Sequence, residues 1–199
     1  MENKPAEAID VFKQYILKSS DITEEKFSVL TPLLKSRRVA KGQFLLQAGD
    51  ICKSSFFTAK GILRSYTIDS SGKEHIIQFA PENWLSSDRS SAFFNEPSLL
   101  YIDAVEDSEV VFIEHAFFEE LSKSSSNFST FNTISLHHHI KQIQNRVNLL
   151  LGATAEERYL DFIKLYPQLT MRVPQWMIAS YLGITPESLS RIRKELYRK

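Results

Sequence analysis

MRVPQWMIASYLGITPESLSRIRKELY, residues 171–197, lays out two short helices around a glycine turn. Pro174 suits the first turn of the first helix, where a missing N–H costs nothing. Ile178, Tyr181 and Leu182 supply one apolar face, and Ala179 is small where two helices cross. Gly183 follows four residues later, where the turn needs a positive φ. Thr185 is an N-cap, Pro186 the first helical residue and Ser188 the third, while Leu189, Ile192 and Leu196 share an apolar stripe. These constrained positions, in this order, form the helix-turn-helix pattern.

The polar residues of the second helix avoid its stripe. Glu187, Ser188, Ser190, Arg191 and Lys194 are therefore available to DNA, with Thr185 beside a helix N-terminus whose open N–H groups suit a phosphate. Arg191 has the fork that guanine N7 and O6 accept, and Glu187 can accept from a cytosine amine. The other reading of Glu187 is a carboxylate at N2 that favours the helix dipole. Arg193, Arg198 and Lys199 fit backbone phosphates or solvent. The sequence stops at Lys199, so no β-hairpin wing is expected after the motif.

Upstream, Leu136, Ile140, Ile143, Val147 and Leu150 recur at spacings of 4, 3, 4 and 3, a heptad seam. With Ile140 and Val147 at a and the leucines and Ile143 at d, the pattern predicts a parallel helix pair and hence a homodimer. An intramolecular core stripe is the alternative. Gly152 ends this helix, and Ala155–Tyr166 reads as another, with Leu160, Ile163 and Leu165 apolar. His137, His138 and His139 point about 100° apart on a helix and cannot converge on one ion. They read as solvated or rim residues, or as a pH-responsive pair across a dimer axis.

From Val39 to about Ile113 the period shortens. KGQFLLQAGD, SSFFTAKGILRSYTIDSSGKEHIIQFAPEN and LLYIDAVEDSEVVFIE are β-branched or aromatic runs, separated by Gly42, Gly49, Gly61 and Gly72. They predict an antiparallel barrel or sandwich, with a hairpin at Ser70-Ser71-Gly72. Residues 6–35 read as short helices, with Asp21 and Thr23 as cap candidates, and Ser122–Ser126 breaks the chain before the helical C-terminal half.

The 199 residues carry 24 Lys/Arg and 24 Asp/Glu, a neutrality that would argue against a polyanionic partner if it were uniform. It is not: residues 1–123 hold 14 basic and 19 acidic residues, and residues 124–199 hold 10 and 5. Such asymmetry points to an acidic module joined to one that binds nucleic acid. No apolar run approaches the ~20 residues of a membrane span, and MENKPAEAID lacks a signal-peptide layout, so a cytoplasmic protein with no membrane partner is expected. One cysteine, Cys52, excludes an internal disulfide and a cysteine zinc site, and reads as a plain strand or turn residue or a redox sensor. His75 alone in the strand-rich stretch gives little support to a cupin-like metal enzyme with a helical tail. No nucleophile elbow, Walker loop or dinucleotide fingerprint occurs, so no catalytic residue, metal or cofactor is expected.

A glycine-punctuated β-domain, a long seam helix and LGITPESLSRIRKEL together resemble the Crp/Fnr family of bacterial transcription regulators. The likeness runs from KGQFLLQAGD through AKGILRSYTIDSSGKEHIIQF to the C-terminus, and is most specific in E-x-x-S-R, Glu187 to Arg191. It implies that Glu187, Ser190 and Arg191 read bases, and that ATAEERYLDFIKLYP links the seam helix to the DNA-binding head. It also implies RNA polymerase and a small-molecule effector as partners. Cyclic-nucleotide-binding members carry G-E and R-S/T-A motifs for ribose and phosphate. In NWLSSDRSSAFFNEPSLLYIDA, Ser86-Ser87 and Ser98-Leu99-Leu100 stand at those places, and residues 136–153 contain no Ser or Thr. The expectation is a regulator without tight cyclic AMP binding, whose effector pocket, if present, involves Trp84, Ser86, Ser87, Ser98 and Leu99. A cyclic-nucleotide-responsive regulator is the alternative. Trp84, Phe79, Phe93 and Phe94 line a pocket or fill the core. The expected fold is α+β: a jelly-roll β-domain with flanking helices (1–123), a dimerisation helix (124–151) and an all-α helix-turn-helix domain (152–199).

Overall fold

Ala8, Phe12 and Ile16 recur every four residues and are buried along one face of α1 (Lys4–Ser19). The computed structural model describes residues 4–196. Thr23 caps α2 (Glu24–Leu30), its hydroxyl accepting from the Lys26 N–H at 3.4 Å. Asp21 takes a different role, accepting from Ser125 Oγ and Asn127 Nδ2 at the start of a later helix. A 3-10 turn, Thr31–Leu33, holds Pro32 and ends the helical run. The expected helix to residue 35 is therefore too long: β1 (Leu34–Val39) begins at Leu34, which pairs with Ile113, and Lys35 pairs with Phe112. Strand pairing at a distance decides these two residues.

Seven further strands follow: β2 (Phe44–Leu46), β3 (Ser54–Lys60), β4 (Leu63–Ile68), β5 (Glu74–Ala80), β6 (Leu85–Ser86), β7 (Tyr101–Ala104) and β8 (Ser108–Glu114). They form two four-stranded sheets, β1-β8-β3-β6 and β2-β7-β4-β5, with antiparallel pairing in β1·β8, β3·β8, β3·β6, β2·β7 and β4·β7. A short helix, α3 (Arg89–Phe94), lies between β6 and β7. Gly61, at the β3–β4 turn, has φ +98°, and a Cβ there would fall 2.8 Å from Ser108 Cα. The turn and β8 approach too closely for any other residue.

The chain then turns helical: α4 (His115–Ser124), α5 (Ser126–Gly152), α6 (Ala155–Leu165), α7 (Leu169–Arg172), α8 (Gln175–Leu182) and α9 (Pro186–Leu196). The fold is the expected α+β arrangement. Two compact units emerge. One gathers the chain up to Thr67 with Gln78–Ser135; the other joins Ile68–Ile77 to the chain from Leu136 onward.

In the first unit, Phe12, Phe27, Phe57, Phe117 and Phe128 are fully buried together. Phe12 lies 5.0 Å from Phe57 and 5.6 Å from Phe117, centroid to centroid, in the tilted geometry that aromatic quadrupoles favour. A second cluster includes Val39, Leu46, Cys52, Phe56 and Leu63, with Trp84 packed against it. In the second unit α6 buries Tyr159 and Phe162, not the stripe read from Leu160, Ile163 and Leu165; Leu160 is exposed. Tyr159, Phe162 and the C-cap residue Tyr166 share a helical face, and three aromatics outweigh the aliphatic stripe in buried area. Among the described residues no helix is long and apolar enough to cross a membrane.

Candidate nucleic-acid interface

α8 forms between Pro174, its N-cap residue, and Gly183, whose φ of +66° and left-handed conformation stop it. The Ile184 N–H reaches back to the Ala179 carbonyl at 3.0 Å, closing the last turn. Ile178, Ala179, Tyr181 and Leu182 are buried, as their spacing predicts, and Met177 joins them. Thr185 starts α9: its hydroxyl accepts from the Ser188 N–H at 3.2 Å. Leu189 and Ile192 are buried, and Leu196 is half-exposed.

The opposite face of α9 is open. Glu187, Ser190, Arg191 and Lys194 are exposed, as is Thr185, while Ser188 and Arg193 are half-exposed. Arg191, Ser190 and Glu187 stand at positions three and four apart, so one helical face carries donors and an acceptor-only carboxylate. The Glu187 carboxyl is held below its ordinary value of 4.5 by its own backbone N–H and by the Thr185 hydroxyl. It is thus an anion that also serves its helix terminus, and the capping role and the outward exposure coexist. Arg198 and Lys199 lie outside the described residues.

On α5 the heptad residues Leu136, Ile140, Ile143, Val147 and Leu150 are all exposed, between 36% and 50%. They form no intramolecular core. His137 and His138 are exposed and His139 is half-exposed, and among the described residues no group of three or more His, Cys, Asp or Glu could hold a metal ion.

Comparison with known proteins places these parts together. The cyclic nucleotide-binding domain family matches residues 36–125, the β-domain. The fumarate and nitrate reduction regulatory protein of Escherichia coli is 28% identical over 183 residues, 86% of this chain and 72% of its own. The regulatory protein HlyX of Actinobacillus pleuropneumoniae is 25% identical over 184 residues, 86% of this chain and 75% of its own. Both alignments continue past the β-domain, since 86% of 199 residues exceeds the β-domain alone. Over both halves the chain is similar to these regulatory proteins. Its fold agrees: FixK2 from Bradyrhizobium japonicum superposes with a TM-score of 0.73 at 18% identity, over 83% of this chain and 85% of that one. A CooA variant from Carboxydothermus hydrogenoformans gives 0.69 at 19%, over 88% and 81%. The two curated relatives are named as regulatory proteins.

The stretch expected to hold an effector is closed on itself. Asp88, 8% exposed, caps α3: one carboxylate oxygen accepts from the Ser91 N–H at 3.1 Å, the other from Ser98 Oγ at 2.7 Å. Ser91 Oγ accepts from the Cys52 N–H at 2.9 Å, and Ser98 Oγ also accepts from the Leu100 N–H at 3.0 Å. Of the five residues expected in the pocket, only Ser98 belongs to this cluster. Ser86 is buried in β6 opposite Phe56, Ser87 is half-buried, and Trp84 packs on the core. Leu99 is 79% exposed and points to solvent, a correction to its place in the pocket. Phe79 is core, whereas Phe93 and Phe94 are exposed against each other. Cys52 is buried, its thiol pushed up chiefly by burial, which is contrary to a reactive thiolate. Asp88 was not singled out from sequence, although an Asp three residues before Ser91 in DRSSAFF is a helix-start signal.

Proposed function

We propose that the protein is a homodimeric, sequence-specific DNA-binding transcription regulator whose effector, where it has one, is a small molecule other than cyclic AMP. The observation that carries this is α9: its apolar face is buried and Glu187, Ser190, Arg191 and Lys194 project outward from the second helix of a helix-turn-helix. The exposed a/d stripe of α5 is matched by a second copy of itself, which would set two α9 helices in successive major grooves about 34 Å apart on a pseudo-palindrome. Arg191 would take a guanine edge, Glu187 a cytosine amine, and Lys194 and the Thr185–Ser188 turn the backbone. The segregated charge suits this division: the basic excess lies in residues 124–199. In this reading the protein works in the cytoplasm, with no membrane, and RNA polymerase is the further partner that the family implies.

Against cyclic AMP stands Asp88. A buried carboxylate already occupies the N-terminus of α3, and a phosphate brought beside it would meet like charge. The match to the cyclic nucleotide-binding domain family favours a second reading, a nucleotide-responsive regulator. Thermal-shift titration with cyclic AMP and cyclic GMP separates the two; stabilisation at micromolar nucleotide selects the second. Selection of sites from random duplex DNA tests the first. An enriched inverted repeat is expected, and an unenriched pool would sink it.

A further inference from the structure

Two side chains of the second unit do more than pack. Ser180, on α8, donates its hydroxyl to the Glu74 carbonyl at 2.8 Å and accepts from the Ile76 N–H at 3.1 Å. It pairs with the outer edge of β5 as a neighbouring strand would, meeting one acceptor and one donor that an edge strand leaves open. Arg146, on α5, spreads its guanidinium over the same place. Nη2 donates to the Ile76 carbonyl at 2.7 Å and to the Tyr181 carbonyl at 3.0 Å, and Nη1 donates to the Ile77 carbonyl. The guanidinium carbon sits 4.0 Å from the Tyr181 ring centre, a cation–π contact. The Tyr181 carbonyl belongs to the last turn of α8, where a helix has unpaired acceptors and a negative dipole end, so a cation is favoured twice there.

Three segments distant in sequence, the hairpin Ile68–Ile77, α5 and α8, thus meet through two residues. α8 in turn packs against α9, and the turn Gly183–Thr185 between them is short and closed by the Ile184-to-Ala179 bond. Whatever fixes α8 fixes the recognition helix. We propose that Arg146 and Ser180 are positioning residues for DNA recognition: they seat α8, and α9 with it, on the hairpin Ile68–Ile77 and on α5. The hairpin, although its strands belong to the β-rich stretch, is then a working part of the DNA-binding half.

The inference rests on α9 being the DNA-reading helix, and the experiment keeps the two apart. Full-length wild type, Ser180→Ala, Arg146→Lys, the double variant and Arg191→Ala are titrated against the selected site and a scrambled duplex. Amide exchange across residues 68–77 is followed in parallel. Ser180→Ala and Arg146→Lys each remove net hydrogen bonding to backbone, which predicts roughly a tenfold loss of affinity for the selected site. The double variant is expected to lose less than the product of the two, because both act on one seat. Exchange at Ile76 should quicken in each. If Arg191→Ala weakens site binding while Ser180→Ala and Arg146→Lys leave it unchanged or strengthen it, the seating role is overturned and the reading of α9 stands. If Arg191→Ala has no effect, or wild type selects no site, both fall. Should Arg146→Lys fail to fold, Ser180→Ala, which deletes one oxygen, decides alone.

Discussion

The loop around Asp88 and the outer face of α9 are both clusters of polar side chains, and they are built on opposite terms. At Asp88, Ser91 and Ser98 each group finds its partner within the protein, and all three are less than a tenth exposed. On α9 the short side chains at the helix start are paired, but Ser190, Arg191 and Lys194 are turned to solvent. A closed cluster contributes to stability and has little left to offer a ligand; an open one contributes little to stability and can offer donors to something else. Substitutions should therefore separate along this line, one set read in unfolding and the other in binding.

The largest effect is expected at a second closed group of the β-domain. Arg64 and Asp103 are both buried and bonded twice, Nε to Oδ1 at 2.7 Å and Nη2 to Oδ2 at 2.8 Å, with Tyr66 Oη donating to the same carboxylate at 3.3 Å. Asp103→Ala strips a buried guanidinium of its counter-charge and should cost roughly 3 to 5 kcal/mol in urea unfolding. A loss below about 1 kcal/mol would show that water reaches the pair. Next comes Asp88→Ala, which leaves the Ser91 N–H without its acceptor, leaves the Ser98 hydroxyl only the longer bond to the Leu100 carbonyl at 3.2 Å, and removes an N-cap. The expected loss is about 2 to 3 kcal/mol. If instead the variant is as stable as wild type and gains affinity for inorganic phosphate, Asp88 is a plug over an anion site, and the contrast with α9 dissolves.

On the open side, Arg191→Ala should leave the unfolding midpoint within about 0.5 kcal/mol, since the side chain is exposed. It should nevertheless cost about 1 to 3 kcal/mol in binding to the selected site and relax specificity at one base pair. Equal weakening on selected and scrambled duplexes would reassign Arg191 to the phosphate backbone.

The open cluster was the easier to read from sequence, and the reason is physical. A helix-turn-helix is local: cap, turn glycine and apolar spacing all lie within about 25 residues, so Thr185, Gly183 and Leu189 declare themselves. The heptad on α5 was legible for the same reason, as was the antiparallel character of the strands. What could not be read depends on pairings far apart in sequence. Leu34 is a strand residue because of Ile113, Asp21 meets Ser125, and Arg146 and Ser180 meet carbonyls some 70 and 106 positions away. The residues expected around an effector were hard to read for a different reason. The motif that would mark them is missing from this chain, and position alone does not tell that Leu99 is exposed and that Trp84 packs on the core.

The smallest effect expected sharpens the comparison at the level of two helix starts. At α6, Thr154 and Glu157 form a closed capping box: Thr154 Oγ1 accepts from the Glu157 N–H at 3.2 Å, while Glu157 Oε2 accepts from the Thr154 N–H at 2.7 Å and its hydroxyl at 2.8 Å. At α9 the residue in that third position is Ser188, and the acid, Glu187, stands one place earlier on the exposed face. Both carboxyls are held below 4.5, Glu157 first by the Thr154 N–H and Glu187 first by its own N–H. A depressed carboxyl stabilises the fold above its unfolded value, and that contribution fades as pH falls through the lower, folded one. Glu157→Gln should therefore lower the unfolding midpoint at pH 7 and at pH 5 by the same amount, with the gap to wild type closing below about pH 4. Glu187→Gln should show a smaller gap of the same sign, because the Thr185 hydroxyl that faces its carboxylate is shared with Ser188 Oγ at 3.3 Å, whereas the Thr154 N–H and hydroxyl both serve Glu157. If the Glu187 gap is the larger of the two, the acid at α9 is held chiefly for its helix, and base reading passes to Ser190 and Arg191 alone.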